Sequence, residues 1–162
     1  MLEPAILQQI VYDYQTGQDH ETLILDGQER EDFFEWFGAL AIIYPVSISD
    51  PAPFMDAYTR PGRCYGNAQT VALRHGLPYV EGFFLANGNY TFHGFNLLQE
   101  DALDVTVRSS PDDYRLNGHL PEFYCGIVIP DELIATQNGQ AIDQNIMNIP
   151  HLLQRVFRNN SL

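Results

Sequence analysis

Asn87 and Gly88 stand between two runs, Tyr79 to Ala86 and Thr91 to Leu98, whose character follows the two-residue period of β-strands. A two-residue turn of the Asn-Gly type needs positive φ at both positions and joins antiparallel strands whose right-handed twist it matches. This pair therefore predicts a hairpin and fixes its register. Gly82 falls opposite His93, and Glu81 turns to the other face of the sheet. A slip of one residue would reverse every side chain, so the turn constrains the fold more than any other short feature.

The segments around the hairpin predict further elements. From Gln28 to Ile43, Phe33, Phe34, Trp36, Phe37, Leu40 and Ala41 recur at helical spacing, behind Asp26 in cap position and with Glu29, Glu31 and Asp32 near the positive end of the helix dipole. Before it, Val11, Tyr12 and Tyr14, then Leu23, Ile24 and Leu25, read as short strands or a turn-rich lead-in. Pro45, Pro51, Pro53 and Pro61 mark a loop-rich passage leading to a second helix from Cys64 to His75, stopped by Gly76. Ala102 to Val107 is read as a strand, as is Glu122 to Ile129 after a loop containing Pro111, Gly118 and Pro121. Asp131 to Thr136 forms a short helix and Ile146 to Phe157 a terminal one, with Ile149, Leu152, Leu153, Val156 and Phe157 as its stripe. The order gives an α+β class in one domain over 1–162: a helical and loop lead-in at 1–60, a core at 61–130 and C-terminal helices at 131–162.

Charge narrows the partners. Eight Lys plus Arg against 21 Asp plus Glu give a formal net charge of −13, which repels a phosphate backbone and makes nucleic acid a poor partner. No apolar run is long enough to span a bilayer, and Met1 to Thr16 lacks the basic start and unbroken apolar stretch of a signal peptide, so the expected compartment is the cytosol, with no membrane partner. Cys64 and Cys125 are the two cysteines, which fits a reducing environment, although one bridge between them stays open. His20, His75, His119 and His151 lie in separate segments without metal-ligand spacing, so neither a metal nor an organic cofactor is expected.

Cys64 opens a helix, where partial positive charge and amide donors favour a thiolate and an oxyanion. If Leu97 pairs with Glu100 in a tight hairpin, His93 falls opposite Asp104, and the carboxylate can hold one imidazole nitrogen while the other serves the thiol. These residues form a candidate triad of nucleophile, base and orienter. Asn67, one turn after Cys64, and Glu81 are auxiliary candidates, each with a structural hydrogen bond as the plainer reading. Cys125, amid Phe123, Tyr124, Ile127 and Val128, reads as an inert core thiol. Tyr58, Arg60 and Arg63 precede the nucleophile and read as ordinary loop residues or as donors to a carbonyl or carboxylate.

From Arg63 through Thr106 the chain resembles papain-like and transglutaminase-like cysteine proteins, especially small bacterial and phage members. The resemblance lies in Cys64-Tyr65-Gly66-Asn67-Ala68, in Tyr79-Val80-Glu81-Gly82-Phe83, in His93, and in Leu103-Asp104-Val105-Thr106. It departs where Gly94 and Phe95 replace the Ala and Trp common after the histidine, and where Val105 replaces a proline common after the aspartate. The resemblance implies a helix packed on an antiparallel sheet, with Cys64 as nucleophile, His93 as base and then acid, and Asp104 as orienter. Its functional implication is a hydrolase or acyltransferase acting on a protein or small amide-containing substrate, whether as peptidase, amidase, deamidase or transglutaminase. The competing expectation is a non-catalytic interaction protein of phage or effector type that uses the same groove for binding.

Overall fold

A computed structural model describes residues 1–17, 23, 25–57, 59–109, 117–138 and 152–160. The Asn87-Gly88 turn forms as its residue types require, with φ of 51° and 74°. It joins β2 (Tyr79–Ala86) to β3 (Asn89–Leu98) in the register that sets Gly82 against His93 and Glu81 against Gly94. The remaining strands, β1 (Ile42–Tyr44), β4 (Asp101–Leu103) and β5 (Phe123–Ile129), complete an antiparallel sheet of order β1-β5-β2-β3-β4. This sheet curls on itself. Just beyond β1, Val46 bridges Ala102 of β4 in parallel, with Ser47 N–H donating to the Ala102 carbonyl at 2.9 Å and Ala102 N–H to the Pro45 carbonyl at 2.8 Å.

Curling divides the apolar residues into two cores. Inside the curl lie Tyr44, Val80, Phe84, Ala86, Phe95, Leu97, Ala102 and Tyr124, drawn from every strand. Outside it, Tyr79, Phe83, Tyr90, Phe92, Cys125 and Ile129 pack against helices α1 (Pro4–Thr16), α2 (Gly27–Leu40), α3 (Cys64–His75) and α6 (Leu152–Asn160). Both faces of the hairpin are therefore buried, which explains why β2 and β3 are apolar on both sides.

A glycine permits the tight curl. Gly82 lies opposite Gly126 of β5, and a Cβ on Gly82 would fall 2.0 Å from the Cys125 carbonyl oxygen. Its role goes beyond leaving room for His93, because β5 backbone fills the space a side chain would take.

Several elements differ from the sequence reading. Residues 4–16 are a helix rather than strands, since Ile6, Leu7, Ile10, Val11 and Tyr14 recur at helical spacing behind Pro4 in the first turn. Asp13 of this helix accepts a hydrogen bond from Tyr90 N–H at 2.9 Å, satisfying part of β3 that β4 does not reach. The second helix stops at Leu40, because Ile42 to Tyr44 pair with β5 instead. Asp26 occupies the cap position of α2 without a side-chain cap bond. The helix from Cys64 to His75 forms with those bounds and ends on left-handed Gly76. Only the first residues of the expected Ala102–Val107 strand are extended; Val105–Ser109 is the short helix α4. The short helix begun at Asp131 runs to Asn138 as α5. Ile24, Pro111 and residues 146–151 of the expected terminal helix lie outside the described residues.

We expect Gly82→Ala to cost about 3 kcal/mol, since the new methyl meets backbone rather than a movable side chain. Urea unfolding should show this as a lowered midpoint.

Candidate active site

Asp104 leaves the end of β4 and caps α4. Its Oδ1 accepts hydrogen bonds from Thr106 N–H at 2.9 Å and Val107 N–H at 3.0 Å, the function that Asp at an N-cap performs. This local preference ends the β-branched run that otherwise reads as a strand. The second oxygen, Oδ2, lies 2.6 Å from His93 Nε2 and accepts the Tyr124 hydroxyl at 2.8 Å. Four donors thus surround one buried carboxylate.

The expected pairing of Leu97 with Glu100 is corrected: Leu97 faces Ala102 and Leu98 faces Asp101, so the turn is Gln99-Glu100 with Gln99 at φ 61°. Carried on, this ladder would set Asp104 against Phe95, two residues from His93 but on the same face. An even displacement preserves the face, which is why the two side chains still meet diagonally once the chain turns into α4.

Cys64 is the first residue of α3. Its approach to β3 depends on Gly94, because a Cβ there would lie 3.2 Å from the Tyr65 Cα and 3.0 Å from the Tyr65 ring. The imidazole feels the thiol: burial pushes His93 down most strongly, but Asp104 and then Cys64 outweigh it and raise the group from 6.5 to about 10. Cys64 acts on the ring both through its charge and through its side chain, although the buried Nδ1 has no partner in full hydrogen-bonding geometry among the described residues. The thiol is 3% exposed and His93 2%. For Asp104, burial acts upward, but the His93 charge and the hydrogen bonds of His93, Val107 and Tyr124 hold the carboxyl below its ordinary value.

Phe84 stands edge-on to the imidazole with ring centres 4.9 Å apart, and Tyr124 lies 6.3 Å from it. A cavity of about 260 Å³ reaches Asp104 and Tyr124 between Val46, Leu103 and Leu120, with Arg108 also in its wall; Cys64 and His93 do not line it. Tyr124 is the site residue that sequence reasoning missed. Its parity in β5, opposite that of Cys125, was the available signal for the inner face.

Asn67 belongs to the scaffold of the site. Its Oδ1 accepts Arg60 N–H at 3.1 Å, while its Nδ2 donates to the Arg60 carbonyl at 2.8 Å and to Thr106 Oγ1 at 2.9 Å. One buried amide therefore ties the loop before Cys64 and the start of α4 to α3. Glu81 does not join the candidate triad, as the hairpin register turns it outward. Its carboxylate accepts Tyr79 O–H at 2.7 Å, Leu152 N–H at 3.3 Å and Leu153 N–H at 2.8 Å, capping α6.

Cys64 and Cys125 are both buried free thiols, not a bridge, and burial pushes Cys125 up to about 12. The Arg60 guanidinium donates to the nearby Ala57 and Thr59 carbonyls, and Arg63 occupies the α3 cap position. Among the described residues no cluster of His, Cys, Asp and Glu could hold a metal. His75 packs edge-on against Phe54, and His119 is exposed. Tyr58, His20 and His151 lie outside the described residues. No protein-family model matches the chain, and neither a curated protein nor a solved structure matches it.

Two outcomes follow. Asn67→Ala should cost about 2–3 kcal/mol in urea unfolding, because it leaves the Arg60 amide groups and the Thr106 hydroxyl without partners. Stability should also depend on pH in a defined way. The raised His93 group contributes its full stabilisation below about 6.5 and loses it as pH climbs through about 10, while the lowered Asp104 group contributes above the ordinary carboxylate range and loses its share as pH falls through and below it. Urea midpoints should therefore decline on both sides, and Asp104→Asn should flatten both declines.

Proposed function

We propose that the protein is a cysteine-nucleophile hydrolase or acyltransferase acting on an amide or related carbonyl. The observation that carries this reading is the His93 imidazole held at Nε2 by a buried carboxylate while the Cys64 thiol, at the start of a helix, acts on the same ring. A thiolate and imidazolium formed by proton transfer from Cys64 to His93 are the species that such chemistry requires.

In the proposed cycle the sulfur attacks the carbonyl carbon, and the amides of the first turn of α3 face the resulting oxyanion. Collapse of the tetrahedral intermediate breaks the carbonyl–nitrogen bond as His93 gives its proton to the departing amine. A thioester remains on Cys64. Water or an amine then loses a proton to His93, attacks the thioester and releases the sulfur as the leaving group, which restores the starting pair. Every step uses side chains and backbone amides of this chain, with a protein or a small amide-containing molecule as substrate and no cofactor. The helix on an antiparallel sheet, and the order Cys64, His93, Asp104, support a papain-like or transglutaminase-like assignment. Among the described residues no helix is long and apolar enough to cross a membrane; a cytoplasmic setting without membrane or nucleic-acid partners is part of the proposal.

One observation favours the second reading, a binding protein built on the same scaffold: thiol and imidazole are both almost fully buried and neither lines the cavity beside Asp104. Iodoacetamide labelling mapped by mass spectrometry separates the two. At about pH 6.5 the enzyme reading expects Cys64 to alkylate roughly tenfold or more faster than an ordinary thiol, with His93→Ala and Asp104→Asn both slowing it. A Cys64 that reacts no faster than a free thiol, or resists the reagent, supports the binding protein.

A further inference from the structure

Asp104 Oδ2 receives two hydrogen bonds at once, from His93 Nε2 and from the Tyr124 hydroxyl. Two donors on one oxygen compete for the same negative charge, so the phenol weakens the hold of the carboxylate on the imidazole N–H. We propose that Tyr124 is a positioning residue that draws charge from Asp104 and so sets how readily His93 releases its proton. The proposal deepens the cysteine-nucleophile reading and rests on it.

Several observations make the arrangement more than a packing contact. The orientation of Asp104 is already fixed through Oδ1 by two backbone amides, so the phenol is not needed to aim the carboxylate. Tyr124 is buried on β5, one strand beyond β2, and Phe84 of β2 contacts both its ring and the imidazole. The phenol cannot easily ionise, since burial first and the Asp104 charge second push it well above 10; it stays an O–H donor. Few other groups tune the ring. Among the described residues, Asp104 from the β4–α4 junction and Cys64 from α3 are the charged or ionisable groups that shift it, Gly82 presents no side chain, and Phe84 is apolar. Arg108, in the wall of the neighbouring cavity, lies 3.9 Å from Asp50 and is largely exposed.

The chemistry gives the phenol a purpose. Breaking the substrate amide requires the imidazolium to give its proton to the leaving nitrogen, and a carboxylate that grips the ring too firmly opposes that transfer. Donation by Tyr124 relaxes the grip while keeping Asp104 ionised.

The test is Tyr124→Phe, which keeps the aromatic ring and removes the hydroxyl. With ring-labelled histidine, NMR titration should place the His93 midpoint about one pH unit higher in the variant. A midpoint that is unchanged or lower overturns the proposal, and a loss of thermal stability alone would not move it. Should the variant fail to fold, the unsubstituted protein provides a second readout: the Tyr124 Cζ resonance should shift in step with the His93 titration, and a flat response overturns the coupling. Cys64 alkylation judges the hydrolase reading and the ring titration judges Tyr124, so each can fail alone.

Discussion

Burying a carboxylate is costly unless its lone pairs are met, and at Asp104 the fold meets them from three directions. Two amides of α4, a phenol from β5 and an imidazole from β3 converge on its two oxygens. The same residue ends a strand, starts a helix and anchors the candidate base. Removing its charge would unsettle all three, because the cap and the ion pair share one group.

The surrounding sheet exists in a form that permits this convergence. Its curl brings β1 and β4 together at Val46 and Ala102, and encloses an inner core to which every strand contributes. Glycine at position 82 lets β2 approach β5, while glycine at 94 lets the start of α3 approach β3 beside His93. Asn67 then joins the loop before Cys64 to α4. One buried amide thereby ties the loop before α3, α3 itself and the start of α4 together.

Buried polar residues elsewhere follow the same logic. Glu81 lies in the middle of a strand yet caps a helix distant in sequence, and Asp13 on α1 serves an amide of β3. Read along the chain, Glu81 was an isolated charge in an apolar strand. Each becomes intelligible once its acceptor atoms are matched to backbone donors that other elements leave open.

The sequence alone determined the features whose causes are local. Asn87-Gly88 dictated the hairpin and its register through the φ values it accepts, Gly76 ended α3, and the parity that follows set His93 opposite Gly82 and turned Glu81 away. It also supplied the three residue types of the candidate site in their chain order. Only the tertiary structure decided how they meet, because that depended on competitions between distant groups: Asp104 capping a helix instead of extending a strand, a two-residue change in the pairing of β3 with β4 that kept the face, and Tyr124 arriving from a strand 20 residues further on. Such choices turn on which donors and acceptors remain unsatisfied after the chain has folded, and residue order does not record that.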